Sequence, residues 1–176
     1  MSIRLSGVVV AFVLCAGIRP ASAQEESAAD RQYREDYDRV QKITAVSDPA
    51  RRAEQLLAFV RARPNSKLND YAQGNYFVAL ESLQKAENFK TLLELSKRYV
   101  EFRPRVPETY YFYGAALRGE NRTGEAMEAL AKCSVVRNPI ARKARDFLEF
   151  LYKSQNRGSL IGLDKILKKA QAEMTH

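Results

Sequence analysis

Apolar residues recur along this chain at intervals of three and four. Ala53, Leu56, Leu57 and Val60 follow one another at i, i+3, i+4 and i+7, and Tyr33, Tyr37 and Val40 make a shorter stripe upstream. No strand-like alternation of four or more residues stands out, so the pattern predicts an all-α fold. The stripes break at "SDP" (47–49), "RPNS" (63–66), "AEN" (86–88), "RPRVP" (103–107), "GEN" (119–121), "RNP" (137–139) and "QNRG" (155–158). Asp48 before Pro49, Ser66, and Asn138 before Pro139 are predicted helix starts, because a short polar side chain accepts from the orphan amides of a first turn and proline fits there. The expectation is about eight helices of roughly 12 to 20 residues with short connections, hence antiparallel hairpins.

The hairpins share a 34-residue period. Tyr76, Ala79, Leu80 and Leu83 return one period later as Tyr110, Tyr113, Gly114 and Leu117, and one period later again as Ala144, Phe147, Leu148 and Leu151. The second helices follow the same shift. Leu92, Ala126 and Leu160 align, then Ser96, Leu130 and Asp164, then Tyr99, Cys133 and Leu167, with Pro104 and Pro139 closing the first two units. A helix-turn-helix of this length, with a large aromatic at Tyr110, the Tyr113-Gly114 pair, Leu117, Ala126, Leu130 and a small residue at Cys133, resembles the tetratricopeptide repeat. The resemblance implies a superhelix of antiparallel helix hairpins in which Gly114 and Ala126 meet at a close crossing and the tyrosines fill the wedge beside it. The other units depart from the pattern, with Leu80 and Leu148 in place of the glycine and Leu92 and Leu160 in place of the alanine. Asp164 replaces a large apolar residue, so the last hairpin reads as a solubilising cap. Residues 24–64 read as a divergent N-terminal hairpin, and residues 65–176 as the repeat-like part.

The opening "MSIRLSGVVVAFVLCAGIRPASAQ" has a basic start at Arg4, an apolar run over about Leu5 to Ala16, and a small-x-small tripeptide ending at Ala23. It reads as a signal peptide over residues 1–23, cleaved after Ala23, which predicts a periplasmic or secreted protein. The run is shorter than the roughly 20 residues that span a bilayer. Cys15 leaves with it, so the exported chain keeps one thiol, Cys133, and forms no internal disulfide. Without Arg4 and Arg19 the charge is +6, from 27 basic and 21 acidic side chains. Charge is uneven: residues 24–50 carry seven acids against four bases, and residues 137–176 carry nine bases against four acids. That asymmetry suits an anionic partner near the C-terminal third or a solvated helix face. Export argues against nucleic acid as the partner.

Residues that carry chemistry are scarce. The one histidine, His176, ends the chain, and Cys133 has no histidine beside it to activate a thiolate. No group has metal-ligand spacing, and "GENRTGE" is a helix-helix turn without a phosphate-binding lysine. The expectation is therefore a protein that is not an enzyme, with no cofactor and no metal.

Recognition remains. In proteins similar to this, the first helices of successive repeats line a concave groove, and the residues one step from the packing stripe point into it. Here the resemblance carries that role to Phe77, Glu81 and Gln84, to Tyr111, Ala115 and Arg118, and to Arg145, Glu149 and Tyr152. Aromatics interleaved with arginines suit an extended or helical peptide carrying negative charge. Tyr111 and Tyr152 could equally pack against adjacent hairpins. Two functions follow as expectations. One is a scaffold or adaptor that holds a peptide or protein segment in the groove. The alternative is charge-driven docking of the basic C-terminal third on an anionic envelope surface, lipid headgroups or cell-wall polymer.

Overall fold

In the computed structural model, residues 27–175 are described; the expected signal peptide, Cys15 and His176 lie outside them. Eight helices follow one another, with no strand among the described residues: α1 (Ala28–Thr44), α2 (Pro49–Ala62), α3 (Asn69–Lys85), α4 (Phe89–Phe102), α5 (Pro107–Gly119), α6 (Thr123–Ser134), α7 (Ala141–Gln155) and α8 (Leu163–Thr175). The fold is all-α, and consecutive helices pack in a repeat-like arrangement.

Local chemistry sets most of the boundaries. Asp48 caps α2, its Oδ1 accepting from the amides of Ala50 at 2.8 Å and Arg51 at 3.2 Å, and Pro49 occupies the first turn. Asn138, expected as a helix start, is not the cap of α7, which begins at Ala141 after Ile140; it shapes the joint before it. Its Oδ1 accepts from the Ile140 amide at 3.0 Å, and its Nδ2 donates to the Cys133 and Val136 carbonyls, both at 2.7 Å, so one side chain ends α6 and aims α7. Ser66 differs from expectation: its hydroxyl accepts from the Leu68 amide in a tight turn, and α3 begins only at Asn69.

The 34-residue shift holds where the first two hairpins turn. Glu87 and Asn121, one period apart, take left-handed φ values of 55° and 62°, and the starts of α4 and α6, Phe89 and Thr123, are also one period apart. The crossings differ in closeness. A β-carbon on Gly114 would lie 2.8 Å from Leu130 Cγ and 3.1 Å from the Ala126 carbonyl oxygen, so the expected close crossing of α5 and α6 is present. Those two helices share the most extensive contact of any pair. Leu80 and Leu92, both fully buried, occupy the matching positions of α3 and α4, which share far less contact. Side-chain volume holds that pair apart.

One core runs through the molecule. It includes Leu56, Leu57, Tyr76, Leu80, Leu83, Leu92, Tyr99, Leu117, Leu130, Cys133, Leu148 and Leu151. Full burial of an aliphatic side chain is worth about 1.5–3 kcal/mol. Tyr76 and Tyr99 stack at 4.7 Å between centroids, and their hydroxyls donate to the Leu95 carbonyl at 2.8 Å and to Gln73 Oε1 at 2.7 Å. The buried polar tips are thereby satisfied.

Two stripes fall elsewhere than expected. Tyr33 and Tyr37 are each 45% exposed and stack on one another, while α1 turns Asp36, Val40 and Ile43 inward. Asp36 tolerates burial because Arg63 Nε lies 3.4 Å from it and Gln32 donates to it at 3.0 Å. At the other end the period fails. It would place the third left-handed residue at Gln155 and the start of α8 at Arg157, but these fall instead at Arg157 and Leu163. Leu160, expected at a helix crossing, therefore sits in the connection. Asp164 is exposed and paired with Lys168 at 3.8 Å. The helix α8 packs mainly on α6, with ion pairs from Lys132 to Glu173 (2.6 Å) and Lys169 to Glu128 (2.9 Å), and does not close a hairpin against α7.

Candidate functional site

The helix α7 rests on α6 and makes little contact with α5. An open groove of about 750 Å³ is left, walled by α3, α5 and α7. Its floor is aromatic. Tyr111 is only 4% exposed, meets Phe112 edge-on at 5.4 Å, and accepts a long 3.4 Å hydrogen bond from Gln84 Nε2. Phe89, Phe147 and the 65%-exposed Phe150 complete the apolar lining. Phe89 reaches in from the first turn of α4 because Gly119 has no side chain; a β-carbon there would collide with the ring.

Five charged side chains line the groove: Glu81, Lys85, Glu87, Arg118 and Lys143. Lys143 Nζ lies 4.8 Å from the centroid of the Tyr111 ring, a cation-π contact that leaves the ammonium open to the groove. Arg118 lines the groove from α5. Neither has a carboxylate partner among the described residues. Lys85, by contrast, is neutralised by Glu81 at 3.1 Å on the same helix. With the Glu81–Lys85 pair neutral and the Glu87 carboxylate at the α3–α4 turn unpaired among the described residues, the groove combines ring faces with two unpaired cations and one unpaired anion, a net excess of one positive charge. Such a surface takes a segment with carboxylates beside an aromatic or aliphatic anchor.

Of the residues expected to line a groove, Glu81, Gln84, Tyr111, Ala115 and Arg118 line this one. Tyr111 does so as a core residue, not as a free surface ring. Phe77 is half-buried, stacked on Phe112 at 5.8 Å, and lines a neighbouring recess of about 370 Å³ that shares Glu81 and carries Asp70 and Glu108. The α7 set lies elsewhere: Arg145 and Glu149 pair with each other at 2.7 Å, and Tyr152 donates to the Ile161 carbonyl at 2.7 Å. From α7 the groove instead receives Lys143, Phe147 and Phe150, two positions earlier than the repeat places them. Their i, i+4, i+7 spacing on one face of a polar helix was the available signal. Phe89 had none, because its contact depends on Gly119 across the turn.

The residues expected to pack differ in burial. Tyr110, Gly114, Leu117, Ala126, Leu130 and Cys133 are buried; Tyr113 and Phe147 are half-buried. Burial pushes the Cys133 thiol up to about 12, so it stays protonated across the physiological range. No group of three or more His, Cys, Asp or Glu is placed to hold a metal ion among the described residues. None of the described helices is long and apolar enough to cross a membrane. Compared with protein-family models, with curated proteins and with solved structures, the chain gives no match, so the groove's own geometry is what a functional reading rests on.

Proposed function

We propose that this chain is an exported interaction scaffold of the tetratricopeptide type, which holds an acidic, aromatic- or leucine-containing segment of another protein in the groove between α3, α5 and α7. The signal-like N-terminus supports export, and the 34-residue recurrence supports the repeat type. One observation carries the binding proposal: Arg118 and Lys143, both without carboxylate partners, line one groove with Tyr111, Phe147, Phe150 and Phe89, and Lys143 lies over the Tyr111 ring. Aromatic anchors supply contact area, and the cations select the charge of the ligand.

A peptide-display selection on the purified protein tests this. Selected sequences should combine Asp or Glu with Phe, Tyr, Trp or Leu, and the double variant Arg118→Ala/Lys143→Ala should lose at least about tenfold in affinity for them, since each charge-assisted hydrogen bond is worth about 1.5–3 kcal/mol. Selection of the same sequences by the double variant, with undiminished affinity, would refute the assignment.

A further inference from the structure

The connection between α7 and α8 presents its apolar side chains outward. Ile161 is 89% exposed, the most exposed large apolar residue among those described, and Leu160 beside it is 37% exposed. Single exposed apolar residues are commonplace, but this pair is held in place. Tyr152 donates its hydroxyl to the Ile161 carbonyl at 2.7 Å, the Ile161 amide donates to Ser159 Oγ at 3.1 Å, and the Leu163 amide donates to the Leu160 carbonyl at 3.1 Å. Gly158 and Gly162, at φ 85° and 94°, supply the left-handed bends. At Gly162 a β-carbon would also stand 2.8 Å from the Tyr152 hydroxyl. The backbone is thus built to present Leu160 and Ile161, not to fold them inward.

Cations flank the pair along the chain. Lys153 ends α7, Arg157 lies in the connection and Lys165 opens α8; none of the three is ion-paired among the described residues. The nearest acid along the chain, Asp164, is engaged with Lys168. An apolar apex with a cationic skirt matches the interface of an anionic bilayer, where aliphatic side chains enter the headgroup region and lysine and arginine stay at the phosphates. We infer that the α7–α8 tip, through Leu160 and Ile161 with Lys153, Arg157 and Lys165, docks the protein on an anionic phospholipid surface. The surface is separate from the groove, so the two assignments stand or fall independently.

The chain contains no tryptophan, which makes Ile161→Trp a unique fluorescent reporter in the full-length protein. With vesicles of mixed phosphatidylglycerol and phosphatidylcholine, emission of I161W should shift to the blue and be quenched by brominated acyl chains. A second reporter, Val78→Trp in the recess beside the groove, should show neither change. Adding Lys153→Gln, Arg157→Gln and Lys165→Gln should weaken the I161W response by about 100-fold in lipid concentration, at roughly tenfold for each one to two cations. Raising salt from ~0.1 M to ~1 M, which shortens the Debye length from about 10 to about 3 Å, should act in the same direction. These exposed, unpaired positions also leave unfolding unchanged, so a weakened response is not a folding defect. The inference is overturned if I161W emission is unmoved by the anionic vesicles, or if V78W responds equally. It is overturned too if pure phosphatidylcholine is bound as well as the anionic mixture, or if I161W responds only to an acidic protein or peptide.

Discussion

Gly114 and Gly74 both lie inside helices, yet a methyl group should have opposite effects at the two. At Gly114 it meets Leu130 and the Ala126 carbonyl, whereas around Gly74 nothing lies within 4 Å. Gly114→Leu should cost roughly 1–3 kcal/mol or more through overpacking. Gly74→Ala should instead stabilise by about 0.5–1 kcal/mol, because alanine loses less backbone entropy in a helix. Urea unfolding of the two variants checks both signs. Alkaline pH tests the buried protons. Burial raises Cys133 and Tyr99 each to about 12, and raises Tyr76 further. All three keep their protons when folded and lose them sooner when unfolded, so the unfolded state binds fewer protons at high pH and stability falls as pH rises. The loss should begin near pH 9, where the unfolded thiol ionises, and grow toward pH 12 to on the order of a few kcal/mol. Cys133→Ala should flatten the first part of that slope in unfolding measured across pH; an unaltered slope would mean that the thiol is not protected.

Single polar side chains fix how elements begin and meet. Asp48→Ala removes two hydrogen bonds to the first turn of α2 and should cost about 1 kcal/mol. Asn138→Ala should cost more, about 2 kcal/mol, since its half-buried amide serves the end of α6 and the start of α7 together. Equal midpoints for the two variants in thermal unfolding would contradict the assigned joint. Helix existence was legible in the sequence because caps, prolines and apolar spacing agree: Asp48, Pro49 and the stripe through Leu57 all point to one helix. The placement of α8 was not. A local rule assigns Leu160 to a helix, but the connection between α7 and α8 lengthens, and α8 finds its packing surface on α6, burying Leu163 and Ala170.

On the scale of the whole molecule, the groove exists because α7 seats on α6 and leaves α5 uncovered. Its two kinds of lining residue should separate cleanly on mutation. Arg118→Ala with Lys143→Ala should keep helical content and change stability by no more than about 0.5 kcal/mol, as exposed truncations do. Tyr111→Ala should cost about 3–5 kcal/mol by opening a cavity under the floor. Circular dichroism with denaturant titration distinguishes them, and a harmless Tyr111→Ala would return that ring to the surface. Replacing Lys165, Lys168 and Lys169 together would not isolate surface charge, because Lys169 also ties α8 to Glu128 on α6.

The sequence by itself determined what depends on neighbours three or four positions away. That includes the helices, the Asp48 cap, the repeat period of the middle hairpins and, through the resemblance that period carries, the small residues Gly114 and Ala126 at the close crossing. The resemblance pointed to Glu81, Gln84, Ala115 and Arg118 as groove residues, and these line the groove between α3, α5 and α7. Contacts between helices remote in sequence were settled only by the tertiary structure. Tyr33 and Tyr37 share a stripe with Val40 in the sequence, yet only Val40 of the three is buried, together with Asp36 and Ile43. Arg145, Glu149 and Tyr152 obey the repeat spacing, yet Lys143, Phe147 and Phe150 face the groove. The physical reason is that spacing fixes which residues share a helix face, while the rotation of that face follows from the surface on which the helix comes to rest.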